Sequence, residues 1–520
     1  RGGDWPAARH DQLVLDAAAS APCAKLQCEG DLCALLHPQA YPMHLLNTDS
    51  SCARADVLAV RQGVFRRLSM RDFGLLFYSD CPDLKANKRA RWVRFLLAAR
   101  NGRLLDRPVY APEWAPHKIY HEPVYGALQS SYSDVELELR VMSGRQAFCG
   151  TPPALYTDVD PAYPTEFSSS MIMFVAGDGL ALMRLNHLLA NKPDIYIDQT
   201  PVIIPIQGEH PHGLFHVMHC EWRLHRQFIM WCAKEVGNRQ VIEDPNVSVF
   251  NVHRFFFLHV VTRACAEYVN FIAGTMGAET LDDPDGFVAK SEANIDFAWV
   301  CHFLHDAGFF VLDFLQSVRA NKSATLDLLW REFFASAHTG TANKTQYVPM
   351  SIMRVFWGMA LTPELSALYH KIRTLPGGLG AVGWDMAIEM LNGAIKAHVS
   401  HHVSEAQINQ FIRSWALLEC VQKRMREFIY PGRSHREHGG FANATVDVNK
   451  LVDRFKAVIG SSWAQAVRPN QVSHVTVGAQ RLRVPWREVA EVMTRQGDDA
   501  PAAYVRRHVQ DLTPFFTWDA

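Results

Sequence analysis

The sequence has almost no net charge and no excess of either sign. Its 52 Lys and Arg residues are balanced by 53 Asp and Glu residues, which gives a formal charge of −1 over 520 residues. A uniformly basic nucleic-acid-binding chain is therefore excluded, and any nucleic-acid partner must be bound by a local basic patch. With 48% hydrophobic and only 20% charged residues, the composition is that of a globular chain, and extended disorder is excluded as its main state.

The chain also lacks a dense cysteine framework, internal repeats and a long uncharged apolar run. Its 11 cysteines are odd in number and scattered, which favours free thiols and a reducing compartment. The apolar stretch 297–315 is interrupted by His302, His305 and Asp306, whereas a bilayer span needs about 20 nearly uncharged residues. No basic-then-apolar signal segment follows Arg1. We therefore expect a nuclear or intracellular protein with no membrane partner.

One segment, 61–107, departs from the neutral average. It contains twelve Lys or Arg residues against four Asp residues, which sums to +8. Aromatic residues such as Trp92 and Phe95 are interleaved with the basic ones, a pattern that suits phosphate contact combined with helix packing. A solvated basic helix face explains the pattern equally well. The candidate nucleic-acid-binding residues are Arg66, Arg67, Lys88, Arg89, Arg91 and Arg94.

The spacing of apolar residues changes in the middle of the chain. Continuous apolar runs at 171–176 and 201–206 predict two buried strands. Helical spacing begins near Phe215, and helix after helix is predicted to about residue 370. We expect five regions: a basic, helix-rich region with some strand at 1–160, the first part of an α/β core at 161–225, a helical insertion at 226–375, returning core helices at 376–430 and a mixed segment at 431–520.

Acidic residues follow both predicted strands. Asp178 stands between Gly177 and Gly179 after the first strand, and Glu209 stands just after the second. Glycines on both sides allow a tight turn that leaves a carboxylate little covered, which suits metal binding. Gly-Asp-Gly is also an ordinary turn sequence, so the triplet alone is a weak signal.

A third acid comes from a predicted helix at 385–398. Asp385, Glu389, Asn392 and Lys396 follow one another at spacings of four, three and four, so they share one polar stripe. On an arbitrary helix such a stripe is usually a solvated surface. The order of two strand-end acids and then a helical acid is, however, what a two-metal phosphoryl-transfer site on a ribonuclease-H-like sheet requires. We therefore expect Asp178, Glu209 and Glu389 to bind two Mg or Mn ions, supported by Asp385 or Asn392.

Histidines are concentrated between residues 208 and 225. If the chain is helical from Phe215, then His212, His216 and His219 share one face. Together with His210 they could bind zinc and form a zinc-dependent hydrolase. More often such histidines satisfy ordinary partners, and we prefer the interpretation that His210, His212 and His216 position Glu209.

Several short motifs together resemble a known family. They are Gly177–Gly179, Pro205–Gly208 followed by Gly213–His216, His338–Tyr347 and Asp385–Asn392. In order and spacing these runs resemble a widespread eukaryotic family of transposon-associated proteins that is catalogued as a domain of unknown function. The likeness spans about residues 165–430. It implies a transposase core of ribonuclease-H type, a mixed-sheet α/β core interrupted by a large all-α insertion and mostly helical overall, with Asp178 and Glu389 as acids.

The second acid differs from the family pattern. Leu214 stands where an acid is sometimes found in the family, and Glu209 lies just upstream. Either the acid has moved to Glu209 or this copy has lost it and is catalytically dead. The leading hypothesis is a DDE-type DNA nuclease and strand transferase. The alternatives are an inactive, transposase-derived DNA-binding protein and the zinc-dependent hydrolase. DNA is the expected partner, and a homo-oligomer is left open.

Overall fold

The structure is a computed structural model that describes part of the chain. The described residues are 46–47, 68–69, 72–73, 76–77, 81–106, 118–119, 172–177, 182, 184–188, 202–207, 211–245, 249–276, 283–340, 347–371, 373–375, 382–383, 437–467, 475–477, 480–482 and 516–517. Among them α-helix predominates and strands are short and few, as expected from the sequence. The helical run predicted from Phe215 to about residue 370 is confirmed.

The described helices run in chain order from residue 82 to residue 466. They are α1 (Pro82–Arg100), α2 (Pro211–Val236), α3 (Phe250–Phe255), π1 (Phe256–Thr262), α4 (Arg263–Met276), α5 (Pro284–Ser291), α6 (Ile295–His302), π2 (Phe303–Gly308), α7 (Phe309–Arg319), α8 (Ser323–Gly340), α9 (Tyr347–Ala360), α10 (Pro363–Lys371), α11 (Glu437–Val458) and α12 (Trp463–Ala466). Residues 184–188 are helical as well.

The described strands form five two-stranded pairs. Antiparallel pairs join β1 (Leu46–Asn47) with β3 (Lys118–Ile119), β6 (Thr374–Leu375) with β7 (Val382–Gly383), and β8 (Val475–Val477) with β9 (Gln480–Leu482). Parallel pairs join β2 (Leu68–Ser69) with β10 (Phe516–Thr517), and β4 (Ile172–Gly177) with β5 (Val202–Gln207). The last pair confirms both predicted buried strands. A larger, ribonuclease-H-like sheet is not seen among the described residues.

Helix α1 shows how local sequence and packing combine. Pro82 at its start and Asp83 in its first turn suit a helix N-terminus, because proline needs no hydrogen-bond partner there and the carboxylate faces the positive end of the helix dipole. Its buried side includes Trp92 and Phe95, 1% and 2% exposed. Trp92 contacts the rings of Phe287, His305 and Phe309. Helix α1 therefore belongs to the same apolar core as the helices of the middle region.

Helix α2 lies at the centre of the packing. It contacts α7, α8, α11, π1 and π2, while β5 packs against α9. Trp222 and Phe228 on α2 are fully buried. Phe455 from α11 stacks on Phe228 and also on Trp231, with ring centroids about 6 Å apart. One continuous core thus joins helices from the early, middle and late parts of the chain.

The stretch Ile295–Arg319, formed by α6, π2 and α7, is long and apolar enough to cross a membrane by length and composition alone. Its apolar window is 83% buried inside the protein. Phe303, Phe309 and Phe314 on this stretch are fully buried among other helices. The same side chains that would face lipid in a membrane span are therefore already covered by protein.

Two π-helical segments, π1 and π2, pack against each other. A π-turn has one more residue than an α-turn, and such segments are often found at functional sites. In π1, the Thr262 hydroxyl donates a hydrogen bond of 2.8 Å to the Phe257 carbonyl oxygen. In π2, Gly308 approaches Thr262 so closely that a Cβ on residue 308 would lie 2.8 Å from Thr262 Oγ1 and 2.9 Å from its Cγ2. Only glycine fits this crossing without movement of the neighbouring helix.

The crossing gives a stability prediction. Gly308→Ala should lower the free energy of unfolding by about 1–3 kcal/mol, the usual cost of overpacking a core, because the hydrogen-bonded Thr262 resists displacement. Gly274→Ala is the matched control, since Gly274 is an exposed glycine of α4 with nothing within 4 Å of an added Cβ. That change should raise the free energy by up to about 1 kcal/mol through helix propensity. Thermal unfolding followed by circular dichroism measures both, and equal shifts in the two variants would contradict the tight crossing.

Candidate functional site

The two predicted strands bring the chain to one edge of a parallel pair. The register runs from Ile172 opposite Val202 to Gly177 opposite Gln207, so both strands reach their carboxyl ends together. Asp178 is the next residue in the sequence, and Glu209 is the second residue after Gln207. Both acids lie outside the described residues, as do Asp385, Glu389, Asn392 and Lys396. The strands of the expected metal site are confirmed, and its acids stay a prediction.

The described histidines of α2 make protein contacts. His219 is buried, and its Nε2 lies 2.9 Å from Asp244 Oδ1 in the segment that follows the helix. Arg223 also pairs with this carboxylate at 3.1 Å. The hydrogen bonds from Arg223 and His219 hold the pKa of Asp244 below its ordinary value. His219 therefore fastens the segment after α2 to the helix.

A zinc site at the histidine cluster finds no support in the described part of the chain. His216 is half-buried on α2, whereas His210 and the side chain of His212 lie outside the described residues. No group of three or more His, Cys, Asp or Glu side chains among the residues that the structure describes could hold a metal ion. The five described cysteines, Cys81, Cys220, Cys232, Cys265 and Cys301, are free thiols, as expected from their spacing.

The basic segment differs from its expected role. Arg91 is 1% exposed, and its guanidinium donates two hydrogen bonds to the Glu332 carboxylate, at 2.9 and 2.6 Å. Lys88 Nζ lies 3.4 Å from Asp306 Oδ1 and 3.5 Å from Glu332 Oε1. Arg91 points into the helical core, where a DNA backbone cannot reach it, whereas the Lys88 side chain stays 28% exposed.

The other candidates of this segment differ among themselves. Arg94 is part-exposed, but its guanidinium donates a 2.5 Å hydrogen bond to the buried Asp313 and lies over the Phe95 ring. Arg89 is exposed on α1, and Arg66 and Arg67 lie outside the described residues. Arg91 fits neither of the two roles expected from the sequence, phosphate contact or a solvated face, whereas Lys88 and Arg94 are partly exposed and also pair with acids of the core.

These residues belong to what we call the buried ionic cluster, after its buried members Arg91 and Glu221; Asp306 of π2, at its centre, is 31% exposed, and Glu292, at its edge, is 49% exposed. Asp306 Oδ1 lies 2.7 Å from His305 Nδ1, and Oδ2 lies 3.2 Å from His302 Nδ1. His302 Nε2 in turn lies 3.0 Å from Glu292 Oε1. The members of the cluster are Lys88, Arg91, Glu221, Glu292, His302, His305, Asp306 and Glu332.

Burial and charge act in opposite directions on Asp306. Burial alone would raise the pKa of its carboxyl, but Lys88, His305 and His302 outweigh burial and hold the pKa well below its ordinary value. The same holds for Glu332, whose pKa is lowered by Arg91 and Lys88 in spite of burial. Lys88 and Arg91 thus balance two ionised carboxylates, which is how buried charges are usually tolerated.

Glu221 of α2 is the exception within the cluster. It is 1% exposed, and its Oε1 has no hydrogen-bond partner among the described residues. Burial first, and then the nearby charges of Asp306 and Glu332, raise the pKa of this carboxyl to about 8, although a hydrogen bond with Ser336 acts against this rise. Glu221 is therefore protonated and uncharged at neutral pH, and the cluster carries no unbalanced carboxylate there.

His225, one turn further along α2, lies beside the cluster in an apolar setting. Its ring contacts Trp299 and Phe303. Burial lowers its pKa to about 3, so the ring is neutral at neutral pH. Together the protonated Glu221 and the neutral His225 keep α2 uncharged where it passes through the core.

The sequence contains an indication of this cluster in the apolar stretch 297–315. His302, His305 and Asp306 interrupt the apolar stretch 297–315, and they argued there against a membrane span. Asp306, inside this strongly apolar run, needs a partner of opposite charge, but that partner, Lys88, lies 218 positions away in the sequence. Spacing along the chain could not identify it. The cluster joins helices through ion pairs, and its described side chains do not form a group that could hold a metal ion.

The ion pair between Arg91 and Glu332 gives the second prediction. Glu332→Gln should lower the free energy of unfolding by about 3–5 kcal/mol, because it leaves the buried guanidinium without its ionised partner. Asp453→Asn is the control: Asp453 is 79% exposed and pairs with Lys456 only at 4.0 Å, so its change should stay within about 0.5 kcal/mol. Urea unfolding measures both. The double variant Arg91→Met, Glu332→Met should be less destabilised than Glu332→Gln, and a larger loss in the double variant would contradict the pairing.

Glu221 gives the third prediction, a dependence of stability on pH. The folded protein keeps the Glu221 proton up to about pH 8, whereas the unfolded chain releases it near 4.5, so the folded state binds more protons between these values. Stability contributed by this group is therefore lost as pH rises through that window. Glu221→Gln removes the effect, so its stability relative to wild type should increase from pH 5 to pH 8.5 by a few kcal/mol.

The measurement is the unfolding midpoint of both proteins as a function of pH. Glu243→Gln serves as the control, because Glu243 is exposed in the segment after α2. Its stability relative to wild type should be independent of pH in this range. A Glu221→Gln curve that runs parallel to wild type from pH 5 to pH 8.5 would show that Glu221 is ionised in the folded protein.

Comparison with known proteins gives no match: no protein-family model, no curated protein and no solved structure is significantly similar to this chain. What the chain does must therefore be inferred from its own residues.

Proposed function

We propose that the protein is a transposase-like DNA nuclease and strand transferase that uses two divalent metal ions. The observation that carries the proposal is the parallel, in-register pairing of β4 and β5, which end together at Gly177 and Gln207. In open α/β sheets, ligands bind outside the carboxyl ends of parallel strands. The sequence continues from this edge with Asp178 and, two residues after Gln207, with Glu209.

The metal ions of the proposal suit the residues available. Carboxylates are hard oxygen ligands, and they prefer Mg or Mn over softer metals. Asp178, Glu209 and Glu389 would hold the ions, and Asp385 or Asn392 would support them. Two such ions stabilise the attacking and the leaving oxygen in phosphoryl transfer. The motif resemblance to transposon-associated proteins agrees with this chemistry.

The structure changes which basic residues can contact DNA in this proposal. Arg91 is buried against Glu332 and does not serve as a phosphate ligand, whereas Lys88 and Arg94, 28% and 43% exposed, are partly neutralised by Asp306 and Asp313. Arg89 is exposed on the same helix and keeps that role, and Arg66 and Arg67 keep theirs as predictions.

The fourth prediction tests catalysis. Purified protein with Mn should nick supercoiled plasmid DNA, and Asp178→Asn and Glu389→Gln should each reduce the nicking rate by more than the 10- to 100-fold that is typical for loss of an outer-shell partner of a metal ligand. Glu209→Gln should have the same effect if Glu209 is the second acid. Gel analysis of nicked plasmid against time gives the rates.

Asp453→Asn, a change at an exposed acid of α11, is the matched control and should nick at the wild-type rate. Replacing Mn with EDTA should stop nicking in all proteins. Wild-type nicking that Asp178→Asn leaves unchanged would reject the site. Loss of nicking in Asp178→Asn and Glu389→Gln but not in Glu209→Gln would place the second acid elsewhere.

The second candidate is a catalytically inactive, transposase-derived DNA-binding protein. A cleft in the helical core favours this candidate, because it contains arginines that have no acidic partner among the described residues. This observation does not depend on the strand-edge acids. Binding without catalysis would depend steeply on salt and would be unchanged by EDTA or by Asp178→Asn. Salt-dependent binding together with no nicking under any divalent metal would select this candidate.

A further inference from the structure

An open cleft of about 1160 Å³ lies in the helical core, and no member of the buried ionic cluster lines it. Its walls come from the carboxyl ends of α1, α2 and α7, the continuous helix α3–π1–α4, and α11. The volume is somewhat larger than the roughly 300–1,000 Å³ that small-molecule sites usually have. It is large enough for a nucleotide with room to spare.

The cleft has arginines whose charge is not used by the protein. Arg239, in the turn after α2, is exposed and forms no ion pair among the described residues. Arg254 of α3 is half-buried, and its guanidinium lies 5.7 Å from the centroid of the Phe250 ring; no carboxylate pairs with it among the described residues. Burial without a compensating acid lowers the pKa of Arg254. A guanidinium held in this way favours an anion, and its planar fork suits phosphate.

The acids of the cleft leave these two arginines uncompensated. Arg239, Arg254, Arg263 and Arg319 line the cleft against Asp106, Glu267 and Asp447. Glu267 pairs with Arg263 at 2.8 Å, so the charges of these two side chains cancel. Four arginines against three acids leave the cleft with a formal charge of +1.

The helix ends that reach the cleft do not oppose an anion strongly. A helix carboxyl end carries partial negative charge on its free carbonyl oxygens. Here Gly102 and Gly237, with φ of 70° and 78°, close α1 and α2 by returning backbone N–H groups to those oxygens. The Arg103 N–H bonds the Ala98 oxygen at 2.7 Å, and the Asn238 N–H bonds the Ala233 oxygen at 2.9 Å. These closures satisfy part of the terminal carbonyl groups.

The cleft also has a flat aromatic surface. The rings of Phe255 and His259 stack on each other, with centroids 4.6 Å apart and planes 11° from parallel. Both residues line the cleft and are half-buried. His259 belongs to π1, so the π-turn sets the spacing of four residues that brings the two rings together. Bases of nucleic acids stack on such aromatic surfaces regardless of sequence.

We propose that this cleft binds a nucleotide unit, with its phosphate against Arg239 and Arg254 and its base against the Phe255–His259 pair. The unit is either a free nucleotide or one residue of a single-stranded nucleic acid. The proposal goes beyond the proposed function, because it rests on residues other than the strand-edge acids and binding here requires no metal. It holds whether or not the protein cuts DNA.

The fifth prediction is a binding experiment in EDTA, which keeps it separate from nicking. The probe is a fluorescein-labelled 15-nucleotide oligo(dT), and anisotropy measures its affinity for the full chain. Arg239→Gln and Arg254→Gln should each weaken binding about tenfold and reduce the slope of log affinity against log salt by about 0.7, the value for one phosphate contact on a single strand. Phe255→Leu should weaken binding at least about fivefold through loss of base stacking.

Arg226→Gln is the matched control. Arg226 is an exposed arginine of α2 that does not line the cleft, so its removal should leave affinity and salt slope unchanged. AMP as competitor separates the two sources of the nucleotide: displacement of oligo(dT) by AMP indicates a site for free nucleotides, and displacement only by longer oligonucleotides indicates a strand. Absence of binding to both probes would overturn the proposal.

A second measurement protects the test against variants that fail to fold. Oligonucleotide with 5-bromodeoxyuridine, cross-linked to the wild-type chain by ultraviolet light, should mark a peptide that includes Phe255 or His259. Cross-links confined to other parts of the chain would overturn the proposal. So would wild-type affinity in folded Arg239→Gln, Arg254→Gln and Phe255→Leu proteins.

Discussion

The ion pair between Arg91 and Glu332 determines where α1 lies. The two residues are 241 positions apart, and the guanidinium makes two hydrogen bonds to the carboxylate in a setting with 1% exposure. Replacing such a pair with apolar side chains is often neutral for stability, whereas breaking it is costly. The pair therefore contributes more to the placement of α1 than to the stability of the fold. Trp92 and Phe95 could pack on many apolar surfaces, but Arg91 has to face Glu332. This fixes the rotation of α1 on the core.

The segment π2 lies at the centre of the buried ionic cluster and brings its side chains together. His302 and Asp306 are four apart, and His305 is adjacent, yet all three side chains meet at one carboxylate. A π-turn widens the helix locally and changes which residues share a face. Its second effect is the crossing with π1, where Gly308 contacts Thr262. The segment π2 thus contributes both to the ion pairs of the cluster and to the close approach of Gly308 to Thr262.

The sequence predicted the parts of the fold that depend on local pattern. The continuous apolar runs predicted β4 and β5, and helical spacing predicted the helices from Phe215 to about residue 370. The sequence did not predict the contacts of the basic residues of α1, because the number of charges in a segment does not show which way each side chain points. The partners Asp306, Asp313 and Glu332 lie more than 200 residues away in a region read as apolar helix. The arginine cleft was missed for the same reason, since its walls come from five separate segments.

The inward-facing charges change what the basic segment means for DNA binding. Three of its twelve basic side chains pair with three acids of the core, which lowers the charge available from this segment to solvent. Because non-specific affinity and its salt dependence grow with the number of phosphates contacted, basic side chains that pair with acids of the core should add less to both than their number in the sequence suggests. Contacts of a different kind, base stacking beside isolated arginines, then contribute a larger share of the affinity. A cleft with an aromatic pair and two arginines free of acids suits that mode better than a broad basic surface does.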